Sequence, residues 1–254
     1  MNIKYLIIIV IFIINIVGTI SFIVNIQTYQ PKTQIKYNIN NVFDEVYLIN
    51  LEREPEKLKV MKEKLNKHNI KYKLIKAIDG SKIKNIKLLR YGNAGAVGIK
   101  KTQIKIIQEA KQKKYNKILI LEDDLLFINN FETLFHNYYK QIMETDSDWK
   151  LLYLGCSYRT PQKFSFLNYV HTKSSYGNFA VGVDSSVYDV ILKSKDDNRP
   201  IDDIFVEDIQ SNYKSLVMKP QLITAEVRKK STTDGYTFSN HYYYNNNVNI
   251  KHYK

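Results

Sequence analysis

Three consecutive carboxylates form the clearest chemical signal in this 254-residue sequence. Glu122, Asp123 and Asp124 directly follow the run KILIL at 117–121, which is typical of a buried strand. Side chains alternate along an extended chain, so Glu122 and Asp124 project to the same side. Two carboxylates on one side suit a hard divalent cation such as Mn²⁺ or Mg²⁺, which would neutralise a diphosphate and help it leave. An acidic turn before the next helix is the alternative interpretation, and the motif alone favours neither.

Apolar runs and helical periodicities alternate in the sequence on both sides of these carboxylates. The predicted strands cover 42–51, 70–78, 117–121, 149–154, 176–183 and 216–227, and the predicted helices cover 54–68, 97–114, 130–143, 184–194 and 200–213. Strands separated by helices indicate an α/β domain with a largely parallel sheet. Because ligands bind such sheets outside the carboxyl ends of the strands, the acidic run falls at the expected binding edge.

The N-terminal residues predict a membrane anchor. Residues 5–26 carry no charge, and a bilayer core needs about 20 apolar residues in a helix. A cleaved signal peptide usually has a shorter apolar region of about 7–15 residues, so an uncleaved anchor is favoured. We expect a single-pass type II membrane protein in an undetermined compartment. Its predicted parts are an anchor at 1–27, a polar stem at 28–41, the main domain at 42–238 and a tail at 239–254.

The composition excludes several classes of protein. A single cysteine rules out a disulfide framework and a cysteine-based zinc module. No Gly-x-Gly-x-x-Gly follows the first strand and no Gly-x4-Gly-Lys-Ser/Thr occurs, which argues against dinucleotide-binding and P-loop proteins. The net charge of +13 fits nucleic acid, an anionic membrane or an anionic small substrate. Without a helix-turn-helix, finger or RNP-type motif, we expect no nucleic-acid partner.

Four short blocks of sequence occur in a recognisable order. They read VYLINLEREPEK at 46–57, AIDG at 77–80, GAVGIKKTQ at 95–103 and LILEDD at 119–124. A weaker fifth stretch is PIDD at 200–203 with the extended piece that follows it. In this order and spacing they resemble glycosyltransferase family 25, the lipopolysaccharide-type and procollagen galactosyltransferase-like enzymes.

The blocks depart from the family's patterns at a few positions. The opening pattern INL-x-R-x-x-x-R ends here in Lys57 instead of arginine. In the pattern Gly-x-x-Gly-Cys-x-x-Ser-His, Ile99 replaces cysteine and Thr102-Gln103 replaces Ser-His. The loss of Ser-His favours an alternative hypothesis, a membrane-tethered binding or structural protein that keeps the fold without turnover. The intact acidic motif favours an active transferase.

The resemblance implies a GT-A fold, a Rossmann-like and mostly parallel sheet with flanking helices, here preceded by the transmembrane helix. It implies inverting transfer of a sugar, with galactose or glucose favoured, from a UDP-sugar to a hydroxyl of a glycan or protein acceptor. The implied cofactor is Mn²⁺ or Mg²⁺. By this resemblance Glu122 and Asp124 would serve the metal and the ribose, with Asp123 alongside. Asn50, Arg53 and Asp79 would lie near the nucleotide.

Inverting transfer also requires a general base on the acceptor hydroxyl. Asp202 and Asp203, which follow Pro200 at a predicted helix start, are the first candidates. Asp208, next to Glu207, is the alternative. These carboxylates cannot all be catalytic, since acidic residues also stabilise the N-terminus of a helix.

The resemblance implies a third metal ligand from the C-terminal side of the domain. Asp234 and His241 are the candidates for it. Arg228, Lys229 and Lys230 form a basic cluster just before Asp234 that would attract a diphosphate. A solvated run of charge is the simpler interpretation of that cluster.

Overall fold

A computed structural model describes residues 36–90, 93–158, 166–226 and 250–254. None of the helices in these ranges is both long and apolar enough to cross a membrane. The predicted anchor at 1–27 lies outside the described residues. Asp234, His241 and the basic cluster at 228–230 lie outside them as well.

A seven-stranded sheet forms the centre of the domain, with the strand order β2-β1-β3-β7-β5-β8-β6, and β4 pairs separately with β9. The strands are β1 (Glu45–Asn50), β2 (Lys73–Lys76), β3 (Lys117–Leu121), β4 (Leu125–Phe127), β5 (Leu151–Tyr158), β6 (Tyr169–His171), β7 (Ser175–Asp184), β8 (Ser215–Met218) and β9 (Ile223–Ala225). β2, β1, β3, β5 and β8 point the same way, whereas β7 and β6 run antiparallel to their neighbours. The predicted α/β class and largely parallel sheet are confirmed.

Helices cover both faces of the sheet. They are α1 (Ile39–Val42), α2 (Pro55–Lys67), α3 (Ala94–Gln112), α4 (Phe131–Thr145), α5 (Tyr188–Lys193) and α6 (Ile201–Ile204), which continues as a π-helix at Phe205–Gln210. Leu119 and Leu121 of β3 pack on the same face as Leu65 of α2, while Ile118 and Ile120 pack on the opposite face. Burial on both faces explains why β3 is an unbroken apolar run instead of an alternating one.

Several predicted elements differ from the structure in their bounds. The predicted strand at 42–51 starts later, because the short helix α1 precedes β1. The extended run at 216–227 is two strands, β8 and β9, which belong to different sheets. The three-residue strands β4 and β6 were not predicted, since three residues are too short to show a period of two.

The chain segment before β1 packs onto the domain. Ile39 in α1 is buried. The Nδ1 atom of the buried His136 accepts hydrogen bonds from the backbone amides of Lys36 and Tyr37, both at 3.1 Å. Every described residue therefore belongs to one compact unit, including the last residues of the predicted stem.

The loop after β2 and the start of α3 interlock through two glycines. A Cβ atom on Gly98 would lie 2.3 Å from the carbonyl oxygen of Ile78, and one on Gly80 would lie 1.6 Å from the carbonyl oxygen of Ala94. Thr102 reinforces the contact, since its Oγ1 accepts from the backbone amide of Ile78 at 2.8 Å. The AIDG and GAVG blocks are thus two halves of a single packing contact that fixes Asp79.

We expect Gly98→Ala to destabilise the protein by about 1–3 kcal/mol, because the new methyl group must displace backbone atoms instead of a flexible side chain. Urea unfolding followed by far-UV circular dichroism measures the change. Lys101→Ala is the control, since Lys101 is exposed on the same helix and its truncation should change stability little. A Gly98→Ala protein as stable as the wild type would contradict the interlock.

Candidate functional site

The acidic turn lies at the carboxyl end of β3, where its backbone is held on two sides. The amide of Glu122 donates to the carbonyl oxygen of Phe179 in β7 at 3.0 Å. The carbonyl oxygen of Asp124 accepts from the amide of Glu226, just after β9, at 2.7 Å. The turn is therefore a defined backbone element between β3 and the β4-β9 pair.

Four carboxylates interact electrostatically at this turn. Burial, followed by the charges of Asp124, Asp123 and Asp202, raises the pKa of Glu122 well above its usual value. Lys57 of α2 acts in the opposite direction and lowers the pKa of the same carboxyl group. The predicted metal pair thus lies close to one of the three predicted bases, Asp202. Lys57 therefore belongs to the site. The sequence analysis matched this residue to the end of the opening motif but assigned it no role.

The oxygen-rich set at this turn fits a hard divalent cation, which would relieve the repulsion among the carboxylates. In the described part of the chain, no three His, Cys, Asp or Glu side chains form a group that could hold a metal ion. A cation at Glu122 and Asp124 would therefore need further oxygen ligands. Magnesium commonly takes them from water and from substrate phosphates.

Asn50 links the ends of β1 and β3. This side chain is buried, and its Nδ2 donates to Oδ2 of Asp123 at 2.5 Å and to the carbonyl oxygen of Glu54 at 3.1 Å. The amide thereby fixes the orientation of the middle carboxylate of the turn. Asn50 and Asp123, both predicted near the nucleotide, are direct neighbours.

Arg53 and Asp79 join the loops that follow β1 and β2. Their side chains form an ion pair. Asp79 also accepts from the amide of Ser81 at 3.1 Å and from its hydroxyl at 2.6 Å. Arg53 and Ser81 together lower the pKa of Asp79 to about 2. Asp79 is therefore an oriented and ionised carboxylate, suited to accept a hydrogen bond from a ligand hydroxyl.

The three predicted bases occupy different environments. Asp203 is buried, and its Oδ2 accepts from Arg90 at 3.0 Å. Asp208 makes a bidentate pair with Arg199, at 2.7 and 2.8 Å. The hydrogen bonds from Arg199 hold the pKa of Asp208 below its ordinary value. Of the three, only Asp202 contributes to the electrostatics of Glu122.

A buried lysine holds the loop before α6 in place through hydrogen bonds. The acidic residues above lie in α6 and in the π-helix that continues it. Lys100 of α3 is only 3% exposed. Its Nζ donates to the carbonyl oxygens of Asp197 and Arg199 at 2.8 and 2.9 Å. The sequence analysis missed Lys100, Arg90 and Arg199, because single basic residues in a lysine-rich chain carry no distinguishing pattern.

Thr102 and Gln103, which stand where the family pattern has Ser-His, differ in their roles. The Thr102 hydroxyl donates to the carbonyl oxygen of Gly98 at 2.7 Å in addition to holding Ile78, and a serine hydroxyl could make the same bonds. Gln103 is 1% exposed, and neither polar atom of its amide has a hydrogen-bond partner within the described ranges. The second replacement is therefore the chemically significant one.

The family profile described as "Glycosyltransferase family 25 (LPS biosynthesis protein)" matches residues 43–241. The mouse protein named Procollagen galactosyltransferase 2 is 28% identical over 136 residues, which cover 47% of this chain and 22% of that protein. The human protein named Inactive glycosyltransferase 25 family member 3 is 28% identical over 137 residues, covering 48% of this chain and 23% of that protein. The matched part is thus less than a quarter of the length of either relative.

Among the solved structures that are similar over most of the chain is a glycosyltransferase involved in the glycosylation of the major capsid of PBCV-1. It has a TM-score of 0.43 and 9% identity, and the match covers 72% of this chain and 94% of that one.

The Asp208–Arg199 pair should make stability depend on pH. Because the pKa of Asp208 is lowered in the folded state, the unfolded chain binds the proton more readily, and the stabilisation is lost as the pH falls from about 5 through the ordinary aspartate pKa of about 3.9 and below. We expect Asp208→Asn to cost about 1–3 kcal/mol at pH 7 and less at pH 3. Urea unfolding at both pH values measures the difference.

Asp196→Asn provides the control, because the Asp196 side chain is 86% exposed and its contact with Lys195 is a long 3.9 Å. It should leave the unfolding free energy almost unchanged at both pH values. A cost for Asp208→Asn that stays the same between pH 7 and pH 3 would contradict the ion-pair explanation.

Proposed function

The chain belongs to glycosyltransferase family 25, and on that basis we propose that it transfers a hexose from a UDP-sugar to a hydroxyl group of a glycan or protein acceptor. The observation that carries the proposal is the carboxylate turn after β3, set between the Asn50–Asp123 contact and the charge of Asp202. Galactose and glucose are the favoured sugars. A GT-A arrangement of the domain is part of the same proposal.

Each side of the site has a role in this proposal. Glu122 and Asp124 would hold Mn²⁺ or Mg²⁺, which when bound neutralises charge on the leaving diphosphate. Asp79, ionised and oriented by Arg53, would accept a hydrogen bond from a ribose hydroxyl. Arg53 has a side chain that is 42% exposed, so it is accessible to the nucleotide as well as to Asp79.

Asp202 is the proposed general base. In an inverting step the acceptor oxygen bonds to the anomeric carbon, the bond from that carbon to the diphosphate breaks, and the acceptor proton passes to the base. Asp203 and Asp208 are held by Arg90 and Arg199, which favour their ionised forms as structural partners. We therefore assign these two residues a positioning role around the loop before α6.

A second candidate function is a binding protein that keeps the fold without turnover. Two observations favour it: Gln103 stands where the family pattern has histidine, and a relative whose name begins with "Inactive" shares the same 28% identity as a galactosyltransferase. This protein would still bind a sugar nucleotide at the same edge of the sheet. Binding without turnover separates it from the enzyme.

We also propose that residues 1–27 anchor the protein in a membrane, with the main domain on the far side from the N-terminus. The uncharged run at 5–26 supports this proposal by its length. Extraction of membranes with sodium carbonate, which removes peripheral proteins, tests it. Release of the full-length chain into the supernatant would refute the anchor.

The full-length protein should release UDP from one member of a panel of UDP-sugars in the presence of Mn²⁺. We expect EDTA to abolish the reaction and Asp124→Ala to lower its rate by at least about 100-fold, because both remove charge neutralisation from the leaving group. A coupled UDP-release assay measures the rate. Binding of UDP with Mn²⁺ in calorimetry, combined with no release from any donor or acceptor, would support the inactive alternative.

In the same assay Asp202→Asn should lower kcat by about 100- to 10,000-fold, the usual contribution of a general base. Asp203→Asn is the matched control, since it neutralises the adjacent carboxylate that pairs with Arg90. An Asp203→Asn protein as impaired in kcat as Asp202→Asn, at unchanged stability, would move the base to the neighbouring residue.

A further inference from the structure

The side-chain amide of Asn178 in β7 is held by one end only. Asn178 is 2% exposed, and its Oδ1 accepts a hydrogen bond from the hydroxyl of Tyr153 at 3.2 Å. Its Nδ2 has no hydrogen-bond partner in the part of the chain that the structure describes. A primary amide has two N–H donors, and burying them without an acceptor is unfavourable. This donor therefore suits a ligand oxygen.

The direction of the amide follows from the hydrogen bonds behind it. Gln210 donates through Nε2 to Tyr153 Oη at 2.9 Å and to the carbonyl oxygen of Ser175 at 2.7 Å. Its Oε1 accepts from the amide of Ser175 at 2.9 Å. Because Gln210 uses both N–H groups and its oxygen, the Tyr153 proton must go to Asn178. The oxygen of Asn178 therefore faces Tyr153, and its Nδ2 points away from that buried chain.

Asn178 lies at the same end of the sheet as the acidic turn. β7 pairs with β3 so that Ala180 lies opposite Leu121, and the amide of Glu122 donates to the carbonyl oxygen of Phe179. Asn178 is the next residue along β7. Burial, followed by Cys156 and Asp202, raises the pKa of Tyr153, whose hydroxyl donates to Asn178. The amide, the acidic turn and Asp202 therefore surround one region.

We propose that Asn178 Nδ2 donates a hydrogen bond to a hydroxyl oxygen of the transferred sugar, so that the Gln210–Tyr153–Asn178 chain selects the donor. This inference rests on the proposed function. A neutral amide donor suits a hydroxyl oxygen, and the transferred sugar is the group bonded directly to the diphosphate that the acidic turn would serve.

A site built to bond one hydroxyl discriminates against analogues that lack it, since the site's polar group is then left without a partner. The wild-type full-length protein is assayed with Mn²⁺ on UDP-glucose, UDP-galactose and their monodeoxy analogues. We expect one deoxy position to lower kcat/KM by roughly 10- to 100-fold more than the others, the effect of leaving one buried donor without its acceptor. That position identifies the hydroxyl that Asn178 contacts.

Asn178→Asp is the decisive variant, because it keeps the oxygen that Tyr153 bonds and replaces only the Nδ2 donor. It should lower kcat/KM on the full donor by a similar factor, roughly 10- to 100-fold, and lose the discrimination against that one deoxy analogue. Its affinity for UDP in calorimetry should equal that of the wild type. Tyr153→Phe, which frees the amide without altering it, should show a weaker loss of the same discrimination.

Four outcomes overturn the inference. A loss of activity that is equal on every deoxy donor, together with weaker UDP binding, would mean a structural role for Asn178. Discrimination that follows deoxy positions of the acceptor instead would assign the amide to the other substrate. If Asn178→Asp does not fold, an unchanged deoxy profile in Tyr153→Phe refutes the chain. A wild-type protein that neither binds nor turns over any UDP-sugar refutes the proposed function itself, and the inference falls with it.

Discussion

Several carboxylates lie close together at the end of β3, where the chain leaves the apolar interior, and the surrounding structure holds them there in spite of their mutual repulsion. They belong to Glu122, Asp123, Asp124 and Asp202. In water these carboxylates would separate, whereas here the backbone of the turn holds three of them in adjacent positions. The turn is hydrogen-bonded to Phe179 on one side and to Glu226 on the other. Asn50 holds Asp123 through a neutral amide, and Lys57 adds one opposing charge. The fold thus keeps mutually repelling carboxylates close together, and a bound cation would reduce that repulsion.

Three arginines near the site pair with carboxylates outside the acidic turn, so they do not remove the repulsion within it. Arg53 is paired with Asp79, Arg90 with Asp203, and Arg199 with Asp208. Each arginine pairs with a carboxylate outside the acidic turn: Asp79 lies in the loop after β2, Asp203 in α6 and Asp208 in the π-helix that continues it. None of these three ion pairs involves a carboxylate of the turn itself. A net charge of +13 over the whole chain is compatible with this arrangement, because charge acts through its local position.

The sequence was sufficient to predict the α/β class, the strand that carries the carboxylates and the family, because β3 is buried on both faces and reads as an unbroken apolar run. It could not separate Asp202 from Asp203 and Asp208, since their difference lies in Arg90 and Arg199, which approach through space. The AIDG and GAVG blocks were read as motifs, but their contact through Gly80 and Gly98 is visible only in three dimensions. Asn178 had no sequence signal, because its significance comes from the buried bonds of Tyr153 and Gln210 behind it.

The antiparallel strand β7 has a consequence for how this domain is assembled. It is the only described strand that joins the β2-β1-β3 half of the sheet to the β5-β8-β6 half. β7 follows β5 in sequence but lies between β3 and β5 in the sheet. The edge of β3 in the β2-β1-β3 half is therefore covered only when this later part of the chain pairs with it. Such non-local pairing slows folding. During synthesis the acidic turn at 122–124 therefore emerges before Ser175–Asp184, the strand that covers its edge of the sheet.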